Sequence, residues 1–308
     1  MDFEKYYARS PLLLMEGALG ERLKREYALV FDEQVAMAGL VYQEEGRRAL
    51  RALWLGYAAI AQAHGLPFLA TTPTRRANRE RVERSLYDAG ILEENLRFLR
   101  EVRREQRARM FVGGLMGCRG DAYSARDVLC EEEALRFHAW QAERMAGAGA
   151  DFLYAGIMPA LAEAKGMARA MAATGVPYII SLYLDRSGRL PDGTRLHDAI
   201  AAVDSGAAPP PVCYMTNCVH PQVLLEALEQ PFNRTELVRT RFHGIQANAS
   251  PLTAQELDGS AQLLTSPPEE LAEGMLALKG LIDLRIAGGC CGTDDAHIEA
   301  IAARLAPR

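Results

Sequence analysis

The chain is poor in lysine, in tryptophan and in long apolar runs. Only four of its 35 basic residues are lysine (Lys5, Lys24, Lys165 and Lys279), so arginine is the default cation. The longest apolar stretch, residues 52–66, is broken by Gly56, Gln62 and His64 and falls short of the roughly 18 residues a bilayer-spanning helix needs, so no transmembrane helix is expected. The start, Met1-Asp2-Phe3-Glu4-Lys5, lacks the cationic segment and apolar core of a secretory signal, which points to a cytoplasmic protein with no membrane partner. A basic excess is missing too. The 35 Lys+Arg stand against 40 Asp+Glu, a net charge of −5, which argues against nucleic acid. Eleven arginines do cluster in residues 75–109, but seven acids share the segment, and Glu80, Glu83, Glu101 and Glu105 supply partners at helical spacing, so the cluster reads as solvated helix faces. With 49% hydrophobic and 24% charged residues, disorder and collagen are excluded.

What the chain does have is six cysteines: Cys118, Cys130, Cys213, Cys218, Cys290 and Cys291. In a reducing compartment such a set is poorly explained by structural disulfides and better explained by buried thiols, metal ligands or catalysis.

Eight short apolar runs recur along the chain, at 12–15, 68–71, 111–115, 152–155, 178–184, 212–215, 242–245 and 284–287, each followed by a longer amphipathic segment. Nearly continuous apolar strands alternating with helices predict a parallel sheet covered on its outer face. The segment 130–148 places Leu135, His138, Ala139, Ala142 and Met145 at helical spacing. Ser266 is the candidate N-cap of a helix running to Gly280. Eight such units in 308 residues predict a single (β/α)8 TIM barrel domain over residues 1–308, with an open doubly wound sheet as the competing arrangement. Residues 16–67 leave room for an extra helical insertion after strand one, and residues 250–266 for a loop.

Residues at the C-terminal ends of barrel strands face the active-site mouth. On this placement Cys218 lies just beyond strand six, and Cys290 with Cys291 just beyond strand eight, so three cysteines converge on one rim. Neighbours on an extended backbone point to opposite sides, and Gly288, Gly289 and Gly292 supply the break that lets both Cys290 and Cys291 face one point. Three thiolates suit Zn2+ with its fourth position open to an exogenous thiol, whose activation would favour attack on a methyl carried by a cationic sulfur or nitrogen. Two inert buried thiols or a redox pair remain open alternatives.

The segment Gly288-Gly-Cys-Cys-Gly-Thr293 with Asn217-Cys218 resembles the zinc-binding signature of the homocysteine S-methyltransferase family. Glu16-Gly-Ala-Leu-Gly20, Ala150-Asp151 with Pro159 and Glu163, Pro221, residues 268–272 and the closing segment 294–301 extend the resemblance over nearly the whole chain. It implies Zn2+ held by Cys218, Cys290 and Cys291. It also implies transfer of a methyl group from a sulfonium or ammonium donor (S-methylmethionine, S-adenosylmethionine or betaine) to homocysteine, giving methionine. The expected partners are those two small molecules; oligomeric state carries no sequence signal. Glu16 and Gly17 are the expected substrate contacts at strand one, and Asn217 and Asn248 are read as substrate-binding or turn-forming residues.

The sequence departs from the family pattern at the amino-acid pocket. Gly156 stands where a Glu is usual, Glu16 where an Asp is, Met215-Thr216 replaces Gly plus an apolar residue and is expected to narrow the site, and Ala247-Asn248 keeps only the Asn of a Pro-Asn pair. These changes keep open methylation of a different thiol, a corrinoid protein as donor, or a non-catalytic zinc or redox-sensing barrel in which Cys290 and Cys291 oxidise. His220 is read as a rim residue and His243 as part of a barrel layer. Asp294 and Asp295 are read as a helix start, and Cys118, Cys130 and Cys213 as buried thiols.

Overall fold

All eight apolar runs form strands, because each is buried on both faces. In the computed structural model, which describes residues 3–252 and 265–307, they are β1 (Leu13–Met15), β2 (Phe68–Thr71), β3 (Met110–Gly117), β4 (Phe152–Met158), β5 (Tyr178–Leu182), β6 (Cys213–Val219), β7 (Phe242–Ala247) and β8 (Ile286–Gly289). Every pairing is parallel and sequential, and Leu13 and Leu14 of β1 pair with Ile286 and Ala287 of β8, so the sheet closes. Closure excludes the open doubly wound arrangement. Strands β3, β4, β6 and β7 run two to four residues further toward their C-terminal ends than their apolar runs. Of the added residues, Asn217 and Gln246 line the barrel mouth, where polar side chains have something to face.

Alternation along the strands sorts the core into two layers. Leu13, Met15, Leu69, Phe111, Phe152, Ile179, Cys213, Met215 and Ile286 fill the barrel interior. Leu14, Phe68, Ala70, Val112, Leu153 and Ile180 point outward against the helices. The interior is stoppered at its N-terminal end by α1 (Phe3–Arg9), whose Phe3 stacks on Phe152 at 4.8 Å and meets Phe111 edge-on at 5.4 Å. Tyr7 of the same helix shares a hydrogen bond with His243 Nδ1. Burial pushes the His243 pKa down to about 4, so the ring is neutral in this layer.

Between β1 and β2 lie α2 (Gly20–Arg25), a 3-10 turn (Met37–Tyr42) and α3 (Glu44–Ala63), which buries Leu50, Trp54 and Tyr57. The outer layer continues with α4 (Arg79–Arg84), α5 (Ile91–Glu105), α6 (Glu131–Gly147), α7 (Leu161–Ala172) and α8 (Leu196–Gly206). It closes with α9 (Pro221–Glu229), α10 (Glu236–Arg241), α11 (Pro268–Leu278) and α12 (Asp295–Leu305). Of the acids expected to balance the arginine cluster, Glu83 pairs within α4 with Arg79 at 2.7 Å. Glu101 and Glu105 reach across to Arg47 and Arg51 of α3 at 2.9 and 3.3 Å. Arg75 and Arg76 precede α4 and sit on no helix.

Two local expectations are corrected. The N-cap of α11 is Pro267; the Ser266 hydroxyl is instead turned to His220 Nε2 at 3.3 Å. Cys130 is exposed as the N-cap of α6, while Cys118 and Cys213 are buried. Asp294 caps α12 and Asp295 is its first residue, as expected of a helix start, and Asp295 also forms an ion pair with Arg22 of α2 at 2.9 Å. The loop expected over 250–266 falls largely on residues 253–264, outside the described residues. Among the described residues no helix is long and apolar enough to cross a membrane.

Candidate active site

A cavity of about 320 Å3 opens at the C-terminal ends of the strands, and it contains the three cysteines singled out above. A larger groove of about 650 Å3 lies at the opposite end of the barrel, beside α1 and His64, far from any of them. The Sγ atoms of Cys218, Cys290 and Cys291 all lie within 4.8 Å of one another, and those of Cys218 and Cys291 are 3.8 Å apart. Cys218 and Cys290 are joined as a disulfide, with their Cα atoms 5.4 Å apart. The bonded pair is therefore Cys218–Cys290, and not the adjacent Cys290 and Cys291 of the redox reading.

Local backbone explains the convergence. Cys218 lies inside β6 rather than beyond it, and its backbone is left-handed, with φ 60°, where the β6–β7 register shifts. That break lets Asn217 and Cys218, which on a regular strand would face opposite sides, both line the cavity. Cys290 and Cys291 follow β8 in a loop pinned on every side. Cys290 N–H donates to Ala247 O at 2.7 Å, Cys291 O accepts from Ala249 N at 2.9 Å, and the Gly292 N–H donates to the Glu21 carboxylate. Thr293 Oγ1 donates to Cys290 O at 2.7 Å and accepts from Ala18 N at 3.1 Å. Burial, with Glu21 adding to it and Arg75 opposing, pushes the Cys291 thiol up to about 11. It is a thiol at neutral pH until a cation draws it to thiolate.

The donor set fits zinc. Tetrahedral Zn–S bonds of about 2.3 Å place sulfurs roughly 3.8 Å apart, which matches the Cys218–Cys291 separation, and three protein ligands leave one position open. His220 supplies no fourth ligand. Its Nδ1 accepts from Gln222 N at 3.2 Å as the N-cap of α9, and its Nε2 meets Ser266.

Glu16 stands just past β1 and is 3% exposed. Thr71, the last residue of β2, donates its hydroxyl to Glu16 Oε1 at 2.6 Å and its N–H to both carboxylate oxygens at 3.1 and 3.2 Å. Burial outweighs these bonds and pushes the carboxyl up to about 7. Gly17 lines the cavity where a Cβ would come within 2.7 Å of the Tyr57 hydroxyl, itself fixed to Ala18 O at 2.9 Å. Asn217 accepts at Oδ1 from Ile157 N at 2.9 Å and from the Ser181 hydroxyl, so its Nδ2 donor is the end left for the cavity. Asn248 makes a turn, accepting from Ser250 N at 3.1 Å, and is not among the cavity-lining residues.

The departures from the family pattern have a structural account. A side chain on Gly156 would meet Leu115 Cδ1 at 2.8 Å, so the place of the missing carboxylate is filled by a leucine that lines the cavity. Ile157, left-handed at φ 54° in the β4 bulge, presents its side chain beside it. Met215 does not narrow the site: it belongs to the barrel interior, and Thr216 donates to Leu182 O at 2.7 Å. Sequence reasoning missed Arg75, Tyr123, Tyr154 and Gln246, which all line the cavity, the last two joined by a 3.0 Å hydrogen bond from the Tyr154 hydroxyl to Gln246 Oε1. None of them carries a motif. Gln246, near the end of β7, is the one whose position could have singled it out, since Tyr154 lies early in β4 and Arg75 and Tyr123 lie in the loops after β2 and β3.

Comparison with known proteins agrees with this geometry. No curated protein sequence matches the chain. Among solved structures, the metallated form of the homocysteine methyltransferase MmuM from Escherichia coli superposes with a TM-score of 0.77 at 21% identity, covering 99% of this chain and 100% of that one. The oxidized form of the same protein gives a TM-score of 0.76 at 22% identity, with 96% and 97% coverage. The family model for homocysteine S-methyltransferase matches residues 13–305. The chain is thus a methyltransferase that belongs to the homocysteine S-methyltransferase family.

Proposed function

We propose that this protein transfers a methyl group to the thiol of homocysteine, giving methionine, with zinc held by Cys218, Cys290 and Cys291. The observation that carries the reading is that three sulfurs within 4.8 Å of one another share a cavity with a buried carboxyl, Glu16. Zinc, when bound, supplies the positive charge that keeps an acceptor sulfur deprotonated near neutral pH.

The rest falls to the chain's own side chains. Glu16, fixed by Thr71, faces the acceptor's ammonium; that cation draws the carboxyl to its ionised form, because an opposite charge nearby lowers a carboxyl pKa. Asn217 offers Nδ2 to a polar group of the substrate. Phe31, Met37, Leu115 and Ile157 give the cavity an apolar wall that excludes water from the reacting sulfur. The donor's carbon–sulfur or carbon–nitrogen bond breaks as the new carbon–sulfur bond forms, and the acceptor's proton passes to solvent. A cationic donor, S-methylmethionine, S-adenosylmethionine or betaine, suits this, since it departs as a neutral molecule or loses its positive centre.

The test pairs metal content with methyl transfer from labelled donors to homocysteine. One zinc per chain with methionine formed is the expected outcome, and Cys218→Ala is expected to lose both. One zinc per chain with no thiol methylated, or full zinc retained by Cys218→Ala, refutes the reading.

A further inference from the structure

The cavity holds a cation to which no described residue supplies an ion pair. Arg75 follows β2 by four residues and lines the cavity together with Glu16, Tyr123, Asn217 and the three cysteines. Among the described residues its guanidinium has no hydrogen-bond or ion-pair partner, and no ion pair joins it to Glu16. The cavity's other cation, Lys24, is placed over the Phe31 ring at 5.0 Å. The stem of Arg75 is seated by design of its neighbour: a Cβ on Gly117, the last residue of β3, would come within 2.6 Å of Arg75 Cγ and 2.9 Å of Arg75 O. The Tyr123 hydroxyl, which feels the Arg75 charge, also lacks a hydrogen-bond partner among the described residues.

A guanidinium presents a planar fork of N–H donors that matches a carboxylate, and the half-buried fork of Arg75, open to water at the cavity mouth, is free to exchange that water for an anion. We propose that Arg75 binds the carboxylate of the acceptor, so that the site selects thiols carrying an anionic group, with Glu16 facing the ammonium of an α-amino acid thiol. This rests on the thiol-acceptor reading above and adds to it a specificity-determining residue outside the cysteine motifs. It also accounts for how an amino-acid thiol is held where Leu115 fills the place of a carboxylate at position 156: the zwitterion's two charges are met by Glu16 and Arg75.

The test is calorimetric titration of the reduced, metal-loaded protein with 4-mercaptobutanoate and with butane-1-thiol, which share chain length and differ in the carboxylate. The wild-type protein is expected to prefer 4-mercaptobutanoate by roughly 10- to 100-fold, the range for hydrogen bonds between charged groups. Arg75→Met is expected to abolish the preference, and Arg75→Lys, which keeps the charge without the fork, to retain part of it. A preference unchanged in Arg75→Met, or absent in the wild type, overturns the proposal. Thermal melts confirm that the variants fold. Homocysteine methylation run in parallel separates the two readings. Arg75-dependent binding without methylation of homocysteine removes homocysteine as acceptor and leaves the carboxylate site standing. Methylation with a KM unmoved in Arg75→Met does the reverse.

Discussion

Glu16 is expected to lower the stability of the protein it serves, and Glu16→Gln reveals by how much. Its carboxyl is raised from 4.5 to about 7 because burial penalises the charged form more than Thr71 rewards it. A raised folded-state pKa means that stability is fully present below the unfolded value and is lost as pH rises through the folded one, so the loss falls between about pH 4.5 and pH 7. A shift of about 2.5 units at about 1.4 kcal/mol each gives roughly 3 kcal/mol, complete by pH 8. Glutamine carries no charge to desolvate, and its Oε1 still accepts from the Thr71 hydroxyl and N–H. Its Nε2 replaces the oxygen 3.2 Å from Thr71 N, the weaker of these contacts, which gives back part of the gain.

The expected net effect is therefore a stabilisation of about 1–3 kcal/mol at pH 8 that disappears near pH 4.5, together with loss of homocysteine binding. Urea denaturation of both proteins across pH 4.5–8.5 measures it, and the wild type minus variant difference cancels every other titrating group, including His220 and His243, whose burial holds them near 4. A variant less stable than the wild type at pH 8, or a difference that does not change with pH, would refute the argument that this carboxyl is kept charged against its surroundings for the sake of a ligand.

Three other substitutions probe the frame. Phe3→Ala removes the ring that stoppers the barrel and is expected to cost about 3 kcal/mol or more, read as a lower Tm, while methyl transfer at the opposite end is unaffected. Gly289→Ala puts a Cβ against Thr293 Oγ1, which is held at both Cys290 O and Ala18 N; the cysteine loop must shift, and zinc affinity measured by chelator competition is expected to fall at least tenfold. Asn217→Ala strands the Ile157 N–H and the Ser181 hydroxyl and is expected to cost about 2–4 kcal/mol by denaturation, with the metal site loosened as β6 relaxes.

The strands were legible because barrel strands are buried on both faces, so their apolar runs stand out against polar helices. The three cysteines were legible because thiols recur at two strand ends. What escaped has physical reasons. The helix α1 is seven residues with polar spacing and forms because Phe3 and Tyr7 dock into the barrel, a tertiary effect. Strand ends were cut short because Asn217 and Gln246 face a cavity rather than a core and Gly156 carries no side chain. Arg75 was hidden among arginines read as helix faces, although it lies outside every helix, and Met215 was assigned to the mouth because strand parity alone does not say how deep a side chain sits.

Left-handed backbone at Ile157 and Cys218 has no residue signature, least of all for a β-branched isoleucine, and each such residue costs on the order of 1–3 kcal/mol unless its surroundings impose it. Asn217 is what imposes the first: its Oδ1 captures the Ile157 N–H on β4 and the Ser181 hydroxyl on β5, tying three strands where two of them depart from regular pairing. The departures are what make the site. Strict alternation along β6 would send either Asn217 or Cys218 away from the mouth. Strict alternation along β4 would likewise separate Tyr154 from Ile157, which now line one cavity. A strictly alternating β6 that kept Asn217 at the mouth would carry the Cys218 sulfur away from Cys290 and Cys291, so the left-handed turn at Cys218 is what lets Asn217 and the three sulfurs share one cavity.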